Sequence, residues 1–412
     1  MDLELLAALR TPEGLRALAA AAEVADGDPL TAAMAVRGRG VEPALAAAAL
    51  TQSDLRRRAT GKFGPAAAAM FFTRAGLEQA TRAVVADRRA ERLRAAGVAT
   101  LADLGCGLGA DALAAARQGI RVYAVEADPL TAALAAANVS AAGLADLVTV
   151  ECADAMSVDV TGFDAVFADP ARRRAGRGRM LDPRSWSPPW DFIAGLPERV
   201  PRTVLKLAPG IDHALLPPGA EGEWVSVDGD LVEAAFWCGP LAAAQRRATL
   251  LTTARPIFSR ATPSGTAASG ADAVRVVELT GTGLAAAPVG PVGGYLYDPD
   301  PAVVRSHLVA EFAATVGGRL ADPEIAYVYT DSRTDSPFGR LLTVTDVLPF
   351  SLKRLRALLR ERGIGRLEIR KRGSALEPDQ LRKDLRLSGP NAASLALTKV
   401  AGAATVIICE PY

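Results

Sequence analysis

Four carboxylates carry most of the chemistry that can be read in this chain. Asp103, Glu126, Asp154 and Asp169 each close a short apolar run: Thr-Leu-Ala-Asp103, Val-Tyr-Ala-Val-Glu126, Val-Glu-Cys-Ala-Asp154 and Ala-Val-Phe-Ala-Asp169. Four such runs predict parallel strands whose acids line one edge of a sheet, where open α/β sheets bind ligands. Directly after the first acid, Gly105-Cys106-Gly107-Leu108-Gly109 places three alternate glycines between a strand and an alanine-rich helical stretch. Such glycines allow positive φ and let a ligand lie against the backbone and the helix N-terminus. The spacing is GxGxG with an acid two residues ahead, whereas a dinucleotide-binding turn reads GxGxxG and usually lacks that acid. With no credible acid for hydride transfer either, a nicotinamide-dependent oxidoreductase is disfavoured.

The order of these motifs resembles the class I S-adenosylmethionine-dependent methyltransferases. In that family the first acid and the glycine turn hold the methionine end of the cofactor, and the second acid takes the ribose hydroxyls. The third acid lies beside the adenine and the fourth faces the substrate. The resemblance implies a Rossmann-like α/β fold and S-adenosylmethionine as cofactor. It assigns the turn to Asp103, Gly105, Cys106, Gly107 and Gly109, the ribose to Glu126 with Ala127, and the adenine to Asp154 with Ala155. Upstream, Met70-Phe71-Phe72-Thr73-Arg74 precedes a helix that leads into the glycine-turn strand. It resembles the segment that RNA cap guanine-N2 methyltransferases and their relatives place over the cofactor, which implies contacts from Phe72 and Thr73. Those enzymes carry proline after the pair, where this chain has Arg74. The other reading makes Phe71 and Phe72 core residues and Thr73 a helix N-cap.

Past the fourth acid the chain reads Asp169-Pro170-Ala171-Arg172-Arg173-Arg174. Amino-group methyltransferases acting on nucleobases carry Asp or Asn, two prolines and an aromatic here. The acid and a carbonyl accept hydrogen bonds from the exocyclic amine while the aromatic stacks on the extruded base. This chain keeps Asp169 and Pro170 but has Ala171 and Arg172 in the next two places, so the base must be held otherwise, by an arginine plane or by Trp186 or Trp190. The expected catalytic set is Asp169, which orients or deprotonates the acceptor, with Pro170, Arg172 and Arg173, the two arginines fixing the substrate. Six arginines between 172 and 184, interleaved with glycine, suit a loop that grips phosphate or a solvated surface loop. Lys206, near the end of the next predicted strand, is a phosphate or substrate contact or a snorkelling edge lysine.

The elements that must position these residues follow from length and pattern. At 412 residues, two or three domains are expected. A hydrophobic fraction of 50% with 23% charged residues describes a globular chain, and no run approaches the roughly 20 apolar residues of a membrane helix. The acidic start Met1-Asp2-Leu3-Glu4 lacks a secretory basic region, so a cytoplasmic location is expected. Cys106, Cys152, Cys238 and Cys409 are scattered singly without metal-ligand spacing and read as buried thiols. With His213 and His307 the only histidines, neither a zinc site nor a histidine triad is expected. Residues 1–97 read as helical, 98–260 as the methyltransferase domain, and 261–294, rich in Gly, Ala, Pro and Ser, as a linker. Strands are expected at 223–228, 231–237 and 246–252.

Residues 295–412 read as a separate α+β region: a helix over 301–315, strands at 325–330 and 341–348, a helix over 351–362, and strands at 365–371 and 403–409. Between 353 and 386 lie 12 basic residues against five acids, although the whole chain carries a net charge of only +1. The helix from Ser351, the strand ending Arg370-Lys371-Arg372 and the final Val-Ile-Ile-Cys-Glu-Pro resemble the THUMP-like domain appended to some bacterial methyltransferases, here about 341–412. THUMP domains bind RNA in tRNA- and rRNA-modifying enzymes, so the resemblance implies RNA as partner, held by Lys353, Arg356, Arg370, Lys371 and Arg372. A solvated basic face is the alternative. The expectation is an S-adenosylmethionine-dependent methyltransferase acting on an rRNA or tRNA base. The alternatives are a protein or small-molecule acceptor, or a cofactor- and RNA-binding module without catalysis. The oligomeric state is left open.

Overall fold

The computed structural model describes residues 1–24, 28–170, 173–174, 177–179, 186–253 and 274–410, with 173–174 and 177–179 described in backbone only. The chain divides into two compact units. The first comprises Met1–Leu207, Leu215–Ala220 and Ala235–Ala243.

Six helices open the first unit: α1 (Leu3–Leu9), α2 (Pro12–Glu23), α3 (Pro29–Arg37), α4 (Pro43–Phe63), α5 (Arg74–Gln79) and α6 (Ala83–Ala95). Their starts are written in the sequence. The side chains of Asp2, Thr11, Asp28 and Glu42 accept from the free N–H groups of Leu5, Gly14, Thr31 and Leu45, and proline opens α2, α3 and α4.

Strands β1 (Thr100–Leu104), β2 (Arg121–Glu126), β3 (Val148–Cys152) and β4 (Ala165–Ala168) follow, with helices α7 (Ala110–Arg117) and α8 (Pro129–Ala141) between them. A short backbone hairpin, β5 (Arg173–Arg174) with β6 (Arg177–Arg179), then leads to helices α9 (Trp190–Ala194) and α10 (Leu196–Arg199) and to β7 (Thr203–Leu207). The sheet order is β7-β4-β1-β2-β3, all parallel, and the end of strand β9 (Asp230–Trp237) adds to the β7 side. This is the Rossmann-like arrangement expected from the sequence. One hydrophobic core runs from Leu6 and Leu9 of α1 through Ala112 and Ala115 of α7 to Leu101, Ala124 and Phe167 of the sheet. The helical segment and the sheet, read as separate from sequence, therefore share a single interior.

The second unit contains Ala208–Ala214, Glu221–Ala234 and Ala244–Tyr412. Its first sheet has the order β11-β10-β8-β9, where β8 is Glu221–Val227, β10 Arg246–Thr252 and β11 Arg275–Gly281. Asp228 and Gly229, with φ of 53° and 85°, link β8 to β9, as an Asp-Gly hairpin turn requires. The segment read as a linker over 261–294 is not all linker: β11 pairs with β10 along its whole length, and its Val276, Val277 and Leu279 are the apolar signal that the Gly/Ala-rich surroundings masked.

The helix expected over 301–315 is two, α11 (Pro301–Arg305) and α12 (Val309–Thr315), because His307 turns left-handed at φ 63°. A seven-stranded sheet follows in the order β13-β14-β12-β15-β18-β17-β16. Its strands are β12 (Tyr295–Pro299), β13 (Arg319–Leu320), β14 (Val328–Thr330), β15 (Gly339–Pro349), β16 (Ile364–Lys371), β17 (Asn391–Val400) and β18 (Ala403–Cys409). Helices α13 (Leu352–Glu361) and α14 (Pro378–Leu385) bury Leu355, Leu359, Leu381 and Leu385 against Leu395, Leu397, Val406 and Ile408 of this sheet. No helix of the described residues is long and apolar enough to cross a membrane. Cys106, Cys238 and Cys409 are buried as expected, but Cys152 is exposed because it ends β3 at the sheet margin.

Candidate active site

Gly105, Gly107 and Gly109 all take left-handed backbone, with φ of 90°, 56° and 83°. At Gly105 a Cβ would also lie 2.9 Å from the carbonyl oxygen of Asp169, so glycine is required there on two counts. The N–H groups of Gly105 and Cys106 both donate to the Val125 carbonyl, at 2.9 and 3.0 Å, which ties the turn to the end of β2. Glu126 completes that tie. Its two carboxylate oxygens accept from Gly107 N at 3.1 Å and Asp128 N at 3.0 Å. A carboxylate has about four acceptor positions, so further donors can still be served.

Asp103 lies beneath this turn, fully buried, and neither carboxylate oxygen has a hydrogen-bond partner within the chain. Burial pushes its pKa well above the usual carboxylate range; the nearby acids Asp111 and Asp169 act in the same direction, against Arg89 and Lys206. A buried carboxylate without partners is costly, and a cationic ligand group would relieve it. Its neighbour Asp111 is already occupied by the Arg89 guanidinium and by Thr81 Oγ1 at 2.6 Å.

At the next strand end, Asp154 is exposed and caps the short turn Ala155–Ser157 by accepting from Met156 N at 2.9 Å. Ala155 is buried and Ala127 exposed.

The segment at 70–73 meets the glycine turn through its backbone. Asn138 of α8, fully buried, accepts from Phe71 N at 2.7 Å and donates to the carbonyls of Phe71 and Leu108 at 3.2 and 3.0 Å. Gln52 of α4, also fully buried, accepts from Phe72 N at 2.9 Å and donates to the Phe72 carbonyl at 2.7 Å. The Phe72 ring itself is in the core, 5.6 Å from Phe63, and Thr73 caps α5 by accepting from Gly76 N at 3.0 Å. The expected contact from the Phe72 side chain is therefore corrected, since the ring serves packing. Sequence reading missed Asn138 and Gln52. A lone amide on an otherwise apolar helix face was the available signal.

Asp169 emerges from β4 beside Lys206 of the adjacent parallel strand β7, and Lys206 Nζ donates to Asp169 Oδ2 at 2.5 Å. Lys206 is buried and Asp169 half-buried. Lys62, at the end of α4, donates to the carbonyls of Leu77, Glu78 and Ala80 at 2.7, 2.8 and 3.1 Å, where it caps α5. Burial first, then Arg82 and Lys206, lowers its pKa to about 8. Pro170 is buried. Arg172 lies outside the described residues, as does the side chain of Arg173. Trp186 is buried with its ring edge-on to Trp190 at 6.2 Å, so it is not placed to stack on a base.

The basic residues of the C-terminal region fall into two sets. Arg370 and Arg372 both bind Asp298, and Lys371 pairs with Glu377 at 2.7 Å. Arg356 donates to the Asp384 carbonyl. Of the cations expected to meet RNA, Lys353 alone is exposed with a side chain that makes no hydrogen bond or ion pair among the described residues. Arg354, Arg366 and Lys383 share that state and were not singled out.

The glycine turn, the acids at successive strand ends and the parallel sheet define a class I methyltransferase. Residues 101–172 match a family described as a methyltransferase domain, residues 339–411 one described as THUMP domain-like, and residues 2–59 a domain of unknown function. Two proteins of Mycobacterium tuberculosis, from strains CDC 1551 / Oshkosh and ATCC 25618 / H37Rv, are each described as an uncharacterized S-adenosylmethionine-dependent methyltransferase. Both are 34% identical to this chain over 377 residues, which is 87% of it and 95% of each of them. A crystal structure given as a methyltransferase from Porphyromonas gingivalis W83 covers 100% of this chain and 99% of its own at a TM-score of 0.69 and 19% identity, and so shares the fold. The chain belongs to the S-adenosylmethionine-dependent methyltransferases, with a THUMP-like region at its C-terminal end.

Proposed function

We propose that this methyltransferase acts on RNA, at a base of rRNA or tRNA. The reading rests on the joining of a methyltransferase site to a THUMP-like region whose exposed cations Lys353, Arg354, Arg366 and Lys383 are free to meet phosphate.

The site residues fit the cofactor by their own chemistry. Asp103 would take the cationic amino group of its methionine end and thereby gain the partner it lacks inside the protein. Gly105, Cys106, Gly107 and Gly109 would let that end lie against the backbone, Glu126 with Ala127 would accept the ribose hydroxyls, and Asp154 with Ala155 would border the adenine. Thr73 would close the site from the α5 side. S-Adenosylmethionine supplies a methyl group on a sulfonium, activated for in-line transfer. The chain's part is then positioning. Asp169, anchored by Lys206, keeps Oδ1 to accept a proton or a hydrogen bond from the acceptor, with Pro170 fixing the backbone behind it. Arg172 and Arg173 would hold the substrate beyond. The test is mass spectrometry of RNA nucleosides from a deletion strain against its parent. One methylated nucleoside should be lost and should return on complementation, whereas an unchanged nucleoside profile would turn attention to protein or small-molecule acceptors.

A further inference from the structure

The chain contains two histidines, and they stack on each other. His213 and His307 lie with ring centroids 3.9 Å apart and planes 9° apart, and His213 lies on Trp224 at 4.5 Å and 14°. Three rings thus form one column, all within the second unit. Trp224, fully buried, is its base, fixed by Nε1 donating to the Pro209 carbonyl at 3.1 Å. His307, exposed, is its outer end.

The surroundings add charge and room. Arg305 donates from Nε to the same Pro209 carbonyl at 3.2 Å, and the Arg246 guanidinium lies 5.7 Å from the Trp224 ring. At Gly222 a Cβ would come 2.9 Å from the Trp224 ring and 3.0 Å from Arg246 Nη1, and at Gly283 one would come 3.0 Å from Arg246 Cγ. Glycine at both places leaves space for the arginine beside the column.

Two features fix how the column is held. Both ring nitrogens of His213 are buried, and apart from a backbone contact at Arg305 the ring is held by its faces. His307 adopts φ 63° as the left-handed residue that ends α11, with Leu308 N donating to the Val303 carbonyl at 3.0 Å, and this turn fixes where the ring stands. Burial, reinforced by His307, Arg246 and Arg305, holds His213 down to about 4, and burial with the same two arginines lowers His307. Near neutral pH the imidazoles are therefore uncharged. Flat neutral rings present their faces while the two guanidinium groups beside them carry the positive charge.

We infer that the exposed face of His307 is a stacking platform for an unpaired base of the RNA substrate, with Arg305 and Arg246 beside it to meet the adjoining phosphate. An aromatic face next to arginine is the chemistry by which single-stranded RNA is held without sequence readout. The inference rests on the RNA reading above and adds a second point of contact, outside the methyl-transfer site.

The test uses the full chain and a fluorescein-labelled single-stranded RNA of about 15 mixed-sequence nucleotides, followed by anisotropy. His307→Asn removes the ring but tolerates the left-handed backbone, while His307→Tyr keeps a ring. His307→Asn should weaken RNA binding at least about fivefold and His307→Tyr by less than about twofold, the first being the low end of base–aromatic stacking. S-Adenosylmethionine affinity, measured by calorimetry, should be unchanged in both, and thermal unfolding followed by circular dichroism shows that each is folded throughout. A His307→Asn protein that binds this RNA as tightly as the wild type overturns the platform and leaves the RNA reading standing. A wild-type protein that does not bind the RNA overturns both.

Discussion

Lys206 and Asp169 stand side by side on neighbouring parallel strands, joined by a 2.5 Å hydrogen bond at the sheet edge where the acceptor is expected. A buried ammonium held this closely fixes the carboxylate's rotamer and keeps one of its oxygens occupied. Asp169→Asn should lower turnover by about 10²-fold or more, the usual scale for a positioned acid or base. Lys206→Met should act in the same direction, and the double variant should be little worse than the single ones, because residues that work as a unit are non-additive. Single-turnover methyl transfer to bulk cellular RNA measures all three. Cofactor affinity should change by less than about 1 kcal/mol in each.

Asp103→Asn should raise the stability of the cofactor-free protein and weaken cofactor binding. Its folded pKa is raised by burial, so the folded state holds a proton that the unfolded state loses above about 4. The group therefore costs stability as pH rises through that window, and the amide variant should remove that slope. Thermal unfolding from pH 4 to 7, with and without S-adenosylmethionine, separates the two effects. A less stable apo variant would mean that the carboxylate is satisfied internally.

Glu126→Ala should reduce S-adenosylmethionine affinity at least tenfold by calorimetry, the loss of charge-assisted hydrogen bonds at about 1.5 to 3 kcal/mol each. Because Glu126 also accepts from Gly107 and Asp128, Glu126→Gln, which keeps one acceptor oxygen, should fall between.

In the THUMP-like region, the paired and unpaired cations should part company. Replacing Lys353, Arg354 and Lys383 by Ala should weaken binding to unrelated RNAs alike and reduce the salt slope by about 2, at about 0.7 per phosphate contact on single strands. Replacing Arg370 and Arg372 should instead lower the melting temperature, because it strands a largely buried Asp298. A flattened salt slope in that second variant, with stability intact, would return those arginines to the RNA surface.

His213→Phe should keep the ring column and remove its titration. The unfolded histidine takes up a proton near 6.5 and the folded one near 4, so this group withdraws stability as pH falls from about 6.5 to about 4. Thermal unfolding across that interval should be less pH-dependent in the variant than in the wild type.

What the sequence made legible was local. Helix caps, the glycine turn and an acid at the end of each apolar strand are written within a few residues of one another, and the parallel sheet follows from them. What it hid was distant pairing. Arg370 reads as a surface cation until β12 brings Asp298 against it from 72 residues away. Phe72 beside Thr73 reads as a ligand contact until α4 folds Phe63 onto its ring. Strand β11 was lost in a stretch whose composition says linker, and α14 in a segment too short and polar to show more than the two leucines it buries, Leu381 and Leu385.

The buried amides Asn138 and Gln52 make the N-terminal helices something other than a detachable module. Each holds the backbone at Phe71–Phe72 by two hydrogen bonds, and Asn138 extends the hold to the glycine turn at Leu108. Loss of the helices would leave Asn138 with its carbonyl oxygen unserved and uncover one side of the shared core. The first unit should accordingly melt as one cooperative block, with a single calorimetric transition spanning helices and sheet. A chain shortened to start at β1 should fail to fold, although its catalytic motifs would all be present.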